Sequence, residues 1–532
     1  MTRSLATAVI AALITSLLAV APADAEQMLR QVSQHGITWT FDEPVRAGQF
    51  VNGDWWVVPA AGAKAVTVVQ VDPAPTRGPS GEQGSRRHGS MVNPQPGAAQ
   101  GYDSRARGYE PEVSVSFPLE LRVNRSLVST RSRGEDETFN PPGGGLYGND
   151  RSRGYPADAA VLTCLAEAPP EDAFRPPYSG EHKPILRAAA MDLSRLPSLT
   201  SVQATPSLEH YERGLSRLWL DHKTGWTGQF IRPNNHMPSY GRDIARHIGD
   251  AALLLCLGDV GDRTRLAQGM VQMGIDFFGI IDAGGGWPAD GGHGHGRKLP
   301  IVLAGYLLYD ASATGSANDH ARAMLHVGEL PRYRDGGTAR FQEDENHFFV
   351  DHADVERELE VEQCRGLAES VGQRSIGVTH PARYATLVGN IVEITAGPGA
   401  GQRREIVETD IGRTGGSGVL TVNEPWDEMP VAGESRYQVR GYEEHHLGMA
   451  EWGIRHAQSP QRDNPSWRAE YRELVGRSSV GFTLAARLIG LRDAWDHEPL
   501  FAYIDRYMQT GGPVHSPFAA NMWQAYRERA GE

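Results

Sequence analysis

The chain has 532 residues, of which 40% are hydrophobic and 22% charged, as is usual for globular proteins. A formal net charge of −13 argues against a general binder of nucleic acid or of an anionic membrane surface, since either partner needs a net basic face. Three cysteines without a CxxC pair exclude a disulfide framework and disfavour a thiolate zinc site. We therefore expect neither nucleic acid nor membrane as a partner, and the oligomeric state stays open.

The first 25 residues have the pattern of a secretory signal peptide. Arg3 precedes an apolar run from Leu5 to Val20, and Ala23 and Ala25 form a small-residue cleavage pattern. The apolar run is shorter than a comfortable membrane span. We expect cleavage after Ala25 and a periplasmic or secreted mature protein, whose length requires two to four domains.

Residues 26–185 have the pattern of a β-sandwich with long loops. Segments 37–58 and 65–71 are short, alternating and rich in aromatic and β-branched residues, with a turn at Asn52-Gly53. The polar stretch 88–105 is long enough to be a functional loop, and an irregular surface loop explains it equally well.

Residues 186–330 change to a helical period, shown for example by Ile244, Ile248, Ala251 and Leu255. Several such segments at short spacing predict antiparallel helices of an α/α toroid. Residues 331–442 interrupt them with an extended arm and a β-rich insert, and helices resume over residues 443–532. The predicted fold is therefore multidomain α+β, with both helical blocks packed into one body.

Two loops rich in glycine and histidine each run directly into an apolar helical segment. Both place amides, imidazoles and cations at a helix N-terminus, where unpaired backbone N–H groups favour an anion. The polar residues of the first loop are Asn234, Asn235, His236, Tyr240 and Arg242, and those of the second are Trp287, Asp290, His293, His295, Arg297 and Lys298.

A third predicted helix start carries His445 and His446. If successive helices alternate in direction, the helices that start near Tyr240, Lys298 and His445 are parallel. Their N-termini then surround one mouth, and we expect a site for a negatively charged ligand there.

This combination resembles polysaccharide lyases of the α/α-toroid type, such as alginate, heparin and chondroitin lyases. The resemblance covers residues 200–530 and lies in architecture and residue types rather than in the motif of one family. It implies β-elimination on a uronate-containing anionic polysaccharide, with His236 or His293 and Tyr240 as base and acid. Asn235 and Arg242 or Arg297 would neutralise the sugar carboxylate. The other polar residues of the three starts would bind substrate: Asn234, Trp287, Asp290, His295, Lys298, His445 and His446.

Two other functions stay open. A glycoside hydrolase on the same scaffold needs two carboxyl groups, and Asp290 could pair with Asp276, Glu444 or Glu451. A noncatalytic glycan-binding protein would instead stack sugar rings on Trp55, Trp226 and Trp287. Each single histidine also has a purely structural explanation as a cap or a surface residue.

No cofactor is predicted, but a divalent metal is an open alternative. His293 and His295 form an HxH pair, and a second set is Asn346, His347, Asp351 and His352. Imidazole with carboxylate suits zinc or calcium, although neither spacing is diagnostic.

Overall fold

The computed structural model describes residues 27–77, 86–97, 99–134, 155–356, 365–380, 387–411, 416–453 and 469–529. The predicted signal peptide lies outside these residues. A β-rich N-terminal region precedes a helical region, and the helices continue after a β-rich insert. This order of mixed α and β structure confirms the coarse prediction from sequence.

Eight N-terminal strands form one hydrogen-bonded sheet in the order β7-β9-β10-β3-β2-β4-β8, with β1 also paired to β2. A separate two-stranded ribbon pairs β5 with β6. The strands are β1 Gln27–Gln34, β2 Ile37–Gln49, β3 Trp55–Val58, β4 Ala65–Asp72, β5 Thr76–Arg77, β6 Arg86–Arg87, β7 Ser90–Val92, β8 Leu119–Arg122, β9 Arg125–Ser132 and β10 Pro156–Cys164.

Strand β2 joins what the sequence predicted as the two sheets of a sandwich. Residues 38–41 of β2 pair with β4, whereas residues 46–49 pair with β3. β1 pairs with both halves, through an irregularity between Leu29 and Gln31. β2 thus links β3 and β4 through its two halves, and the eight strands form one continuous sheet rather than two separate ones.

Strand β10 is buried on both faces. Its sequence PADAAVLTC lacks polar alternation, as expected for a strand covered on both sides. Ala160 and Leu162 pack into the core of the sheet, whereas Ala159 and Val161 pack into the helical core. The sheet and the helices therefore share a continuous hydrophobic interior across this strand.

Helices from both sides of the insert pack together. Helix α2 packs along α8, and α3, α4 and α5 pack in succession. Gly249 of α2 and Gly481 of α8 let the two backbones approach, because a Cβ at Gly249 would lie 2.7 Å from the amide nitrogen of Phe482. The helices are α1 Leu208–Leu215, α2 Gly241–Leu255, α3 Thr264–Asp282, α4 Lys298–Leu308, α5 Ser316–Leu325, α6 Gln342–Asn346, α7 His352–Glu356, α8 Ala469–Ile489, α9 Arg492–Trp495, α10 Glu498–Gln509 and α11 Pro517–Tyr526.

The insert is a seven-stranded sheet with a hydrophobic core of its own, in the order β12-β18-β15-β16-β17-β14-β13. A further short pair, β11 with β19, lies outside it. The strands are β11 His347–Phe349, β12 Arg365–Leu367, β13 Ser370–Gly372, β14 Ser375–His380, β15 Ile391–Ala396, β16 Arg403–Ile411, β17 Gly416–Val422, β18 Arg436–Arg440 and β19 Ala450–Trp452.

Two segments differ from the prediction. The expected extended arm at 341–356 contains two short helices and a strand, and its first helix is buried. The helix expected to start near His445 is instead a 3-10 turn, Glu444–His446, followed by strand β19. Glu and Asp usually mark solvent-exposed sequence, so the burial of α6 concealed that helix. Within the described ranges, no helix has the length and apolar character needed to cross a membrane.

Candidate functional site

The two histidine-bearing loops meet at the start of helix α2. The ring of Tyr240, the residue before the helix, lies edge-on to the ring of His293, with centroids 4.6 Å apart and planes at 76°. A Cβ at Gly241 would overlap the carbonyl group of His293, so glycine allows this contact. Arg297 ties the loops further, because its Nη1 donates to the Gly241 carbonyl at 3.1 Å. The structure thus brings together Tyr240 and His293 as the sequence predicted.

One cationic side chain, that of Arg242, lies beside this pair. The Arg242 guanidinium lies 5.7 Å from the centroid of the Tyr240 ring and also donates to Asp243 at 2.8 Å. His515, from the segment between α10 and α11, lies 3.8 Å from the Asp243 carboxylate. Burial, followed by the charges of Arg242, Arg246 and Arg477, lowers the pKa of His515 to about 3. The helix N-terminus adds its partial positive charge, so the surroundings favour an anion.

The Tyr240–His293 pair lies just beneath the surface. Only 6% of Tyr240 and 7% of His293 is exposed. A Cβ at Gly292 would lie 2.7 Å from the Tyr240 hydroxyl oxygen. Gly292 therefore lies directly against that hydroxyl group, and a larger residue at this position would clash with it.

The residues before Tyr240 face the sheet. The backbone N–H groups of Asn234 and Asn235 donate to the carbonyls of Pro156 and Ala157 in β10. The Asn235 amide nitrogen donates to Asp158 at 2.9 Å. This amide is thus committed to a carboxylate of the protein, in contrast to its expected role at the sugar carboxylate.

His236 is buried at the same side of the loop. Its Nε2 lies 2.7 Å from the carbonyl oxygen of Leu218, so the neutral ring donates from that atom. Burial lowers the pKa of His236 to about 3. The described contacts of His236 therefore fit a structural histidine, and they do not join it to Tyr240 or His293.

Arg297 and Lys298 lie in the interior. Asp221 accepts Nε of Arg297 on one carboxylate oxygen at 2.8 Å and Nη2 of Arg232 on the other at 2.6 Å. Lys298 donates to Asp344 at 2.7 Å. All these side chains are buried, so Arg297, expected at the sugar carboxylate, and Lys298, expected to bind substrate, instead form ion pairs inside the protein. Sequence reasoning missed Asp221, whose partner Arg297 is 76 residues away.

His295 lies in a buried polar cluster with His347 and Glu343. His295 and His347 lie edge-on with centroids 6.5 Å apart, and His347 Nδ1 donates to the Glu343 carbonyl at 2.7 Å. Both ring nitrogens of His295 and both carboxylate oxygens of Glu343 have no hydrogen-bond partner among the described residues. Burial and the neighbouring Asp344 raise the pKa of Glu343 to about 7.

The histidine sets considered for a metal do not form one. In the described part of the chain, no group of three or more His, Cys, Asp or Glu side chains is arranged to hold a metal ion.

Trp287 is fully buried, contrary to its expected role in substrate binding. Its indole N–H donates to the Asp221 carbonyl at 3.2 Å, and its ring stacks on Phe341. Asp290 is closer to solvent: its carboxylate accepts the backbone N–H of Trp226 at 2.6 Å, and its carbonyl accepts that of His293 at 2.9 Å. Trp226 is 37% exposed and borders the loop that carries Asp290 and His293.

His445 and His446 belong to a different neighbourhood. They lie on the 3-10 turn, with their ring centroids 3.9 Å apart. The ring of His446 lies edge-on to Tyr442, and its Nδ1 accepts the backbone N–H of Glu443. Their described contacts do not reach Tyr240 or His293. The expected third helix start at a common mouth is wrong, because these residues lie on a short 3-10 turn that leads into strand β19 and no α-helix begins at them.

The possible partners of Asp290 as a catalytic carboxylate are also held elsewhere. Asp276 binds Arg175 in a buried pair, Glu451 binds Arg506, and Glu444 is exposed on the 3-10 turn. A carboxylate that the sequence did not single out, Glu345, accepts the backbone N–H of Ala289 at 2.7 Å.

Comparison of the chain with protein-family models, with curated proteins and with solved structures found no match. The chemistry of the described residues is therefore the basis for assigning a function.

Proposed function

We propose that this protein is a secreted polysaccharide lyase that cleaves a uronate-containing anionic polysaccharide by β-elimination. The observation that carries the proposal is the edge-on contact between Tyr240 and His293 at the cationic N-terminus of α2. An α/α-toroid arrangement of the helices and a periplasmic or extracellular location belong to the same proposal.

β-Elimination needs three things of an active site. A base removes the weakly acidic proton at C5, an acid protonates the leaving glycosidic oxygen at C4, and a positive environment stabilises the carboxylate as charge develops on it. Tyr240 and His293 supply the base and the acid between them. Arg242 and the α2 N-terminus supply the positive environment.

The contacts reduce the catalytic set that the sequence predicted. Asn235 is bonded to Asp158 and Arg297 to Asp221, and their described contacts do not place them beside Tyr240, so neither is assigned to the sugar carboxylate. Arg242 also bonds a carboxylate, that of Asp243, and is retained because its guanidinium lies beside the Tyr240 ring. His236 is excluded as the base because its Nε2 is held by a carbonyl and its pKa is lowered to about 3. Tyr240, His293 and Arg242 are the residues to which we assign the chemistry.

A glycoside hydrolase is the second candidate, and one observation favours it. Glu345 accepts the backbone N–H of Ala289, so its carboxylate lies beside the loop that carries Asp290. Glycoside hydrolases use two carboxyl groups. Both carboxylates are already engaged by backbone N–H groups of the protein, Asp290 by Trp226 and Glu345 by Ala289. We therefore rank this function second.

The product of the reaction distinguishes the two functions. We would incubate the purified protein with alginate, glucuronan, pectate and glycosaminoglycans and follow ultraviolet absorbance together with reducing ends. A lyase generates both signals, because elimination leaves an unsaturated uronate, whereas a hydrolase generates reducing ends alone. If the wild type released reducing ends without the chromophore, and Asp290→Asn lost all turnover, the protein would be assigned as a hydrolase rather than a lyase.

A further inference from the structure

Two arginine–aromatic pairs lie near the Tyr240–His293 pair, and the buried ring of Phe230 lies between them. The Arg107 guanidinium lies 4.5 Å from the ring centroid of Trp226, and the Arg105 guanidinium lies 4.8 Å from that of Tyr155. Phe230 connects the two aromatic rings, with centroids 5.1 Å from Trp226 and 6.4 Å from Tyr155. We call these five residues the arginine–aromatic track.

The track is continuous with the proposed site at one end. The backbone N–H of Trp226 donates to the Asp290 carboxylate, and the Asp290 carbonyl accepts the backbone N–H of His293. Trp226 is 37% exposed and Arg107 is also exposed, so both are accessible from solvent. A chain that reaches Tyr240 and His293 would therefore pass Trp226 and Arg107 next.

More arginines extend the positive surface toward β9. Arg105 donates to the carbonyl of Arg133, the residue after β9. Within that strand, Arg131 shares the Asp158 carboxylate with Arg217 and with the exposed residue Asn235. Arg105 pairs with Asp103, and Arg131 and Arg217 share Asp158, so together with Arg107 four arginines stand beside two aspartates in a protein whose net charge is −13.

We propose that the arginine–aromatic track binds several successive sugar units of an extended anionic polysaccharide beyond the unit that is cleaved. This inference rests on the proposed function and extends it to the length of the substrate. Sugar rings stack on exposed aromatic faces, and guanidinium groups pair with carboxylates through two parallel N–H bonds. We choose an acidic polysaccharide as the ligand because the arginines form a local positive surface on an acidic protein, and this charge complements that of a polyuronate.

Loss of an arginine from the track should weaken the affinity for long polysaccharide chains. In Arg107→Gln, the KM for a long polyuronate rises about tenfold, the effect of losing one charge-assisted hydrogen bond, while kcat stays within twofold. The KM for the shortest cleavable oligosaccharide stays unchanged, because that substrate occupies only the Tyr240–His293 end. Arg436→Gln, at an exposed arginine of the insert, is the matched control and leaves both substrates unaffected.

A direct binding measurement separates the track from the catalytic proposal. In affinity electrophoresis with alginate, wild type and Tyr240→Phe are retarded, and Arg107→Gln migrates faster. Retardation without any elimination product would support the track while refuting the lyase. Equal KM values for the long polyuronate in wild type and Arg107→Gln, or tighter binding to a thymidine oligonucleotide than to alginate, would overturn the track.

Discussion

The Tyr240 hydroxyl group offers the smallest change that separates chemistry from folding. Tyr240→Phe keeps the ring that packs on His293, so the free energy of unfolding should change by no more than about 1 kcal/mol. Turnover should fall roughly a hundredfold to ten-thousandfold, the usual contribution of a general acid or base. The rate of unsaturated product formation and urea unfolding measure the two effects. Tyr333→Phe, at a tyrosine that is 39% exposed, is the control. Full activity in Tyr240→Phe would remove this tyrosine from the mechanism.

Glu343 should make the stability of the protein depend on pH. Its folded-state pKa of about 7 lies above the ordinary value of 4.5. Between these values the unfolded chain has lost the proton that the folded chain keeps, so this group lowers stability as pH rises through that window. Glu343→Gln should therefore be nearly neutral at pH 4 and stabilising by roughly 2–4 kcal/mol at pH 8.

Urea unfolding at the two pH values measures this difference. Glu444→Gln is the matched control, because Glu444 is exposed and should show no such pH dependence. A Glu343→Gln variant with the same change in stability at pH 4 and pH 8 would contradict a buried, protonated Glu343.

Residue types near a helix start indicated part of the site. Tyr240, His293 and Arg242 stand together because the loops that carry them precede helices whose N-termini lie close in space. Burial was the missing information: His295 and Arg297 come from the same loop as His293, yet they point into the interior. Local sequence spacing does not distinguish a side chain that faces a ligand from one that holds the loop.

At the scale of elements, one buried arginine joins the N-terminal sheet to the helices. Arg175 donates to Asp54, next to β3, at 2.5 Å and to Asp276 of α3 at 2.5 Å and 2.8 Å. Arg175→Met would leave two buried carboxylates without their cation, a loss of roughly 3–5 kcal/mol. Arg187→Met, which breaks an exposed pair with Asp172, should cost less than about 1 kcal/mol.

Urea unfolding of both variants tests this junction. If Arg175→Met and Arg187→Met lose the same small amount of stability, the buried contact does not hold the sheet on the helices.

Elements with strong periodicity were predictable, and short polar ones were not. The helical pattern gave α2, α3 and α4 because their apolar residues recur on one or more faces. Helix α6 has the sequence QEDEN, which carries no apolar period, and tertiary contacts bury it. Likewise, the strands were predicted from their alternation, whereas their joining into one sheet depends on the two different partners of β2.

At the scale of the whole molecule, the β-rich insert has the features of a unit that can be removed. Its first and last strands are antiparallel neighbours, with Arg365 opposite Gln438 and Leu367 opposite Arg436. The chain therefore leaves and re-enters the helical body at adjacent points. Its core is also separate from the helical core, so removing it exposes little of the latter.

We expect that replacing residues 365–440 by a short Gly-Ser linker leaves the rest of the protein folded. A flexible linker of a few residues spans neighbouring strands, which lie about 5 Å apart. The midpoint of thermal unfolding of the helical body should change by only a few degrees, since helix packing such as that of α2 on α8 does not involve the insert. Elimination on short oligosaccharides should persist, because Tyr240, His293 and Arg242 all lie outside the insert. A shortened protein that is soluble and unfolds cooperatively but has lost this activity would show that the insert contributes to the site, and an insoluble one would show that the helical body depends on it for folding.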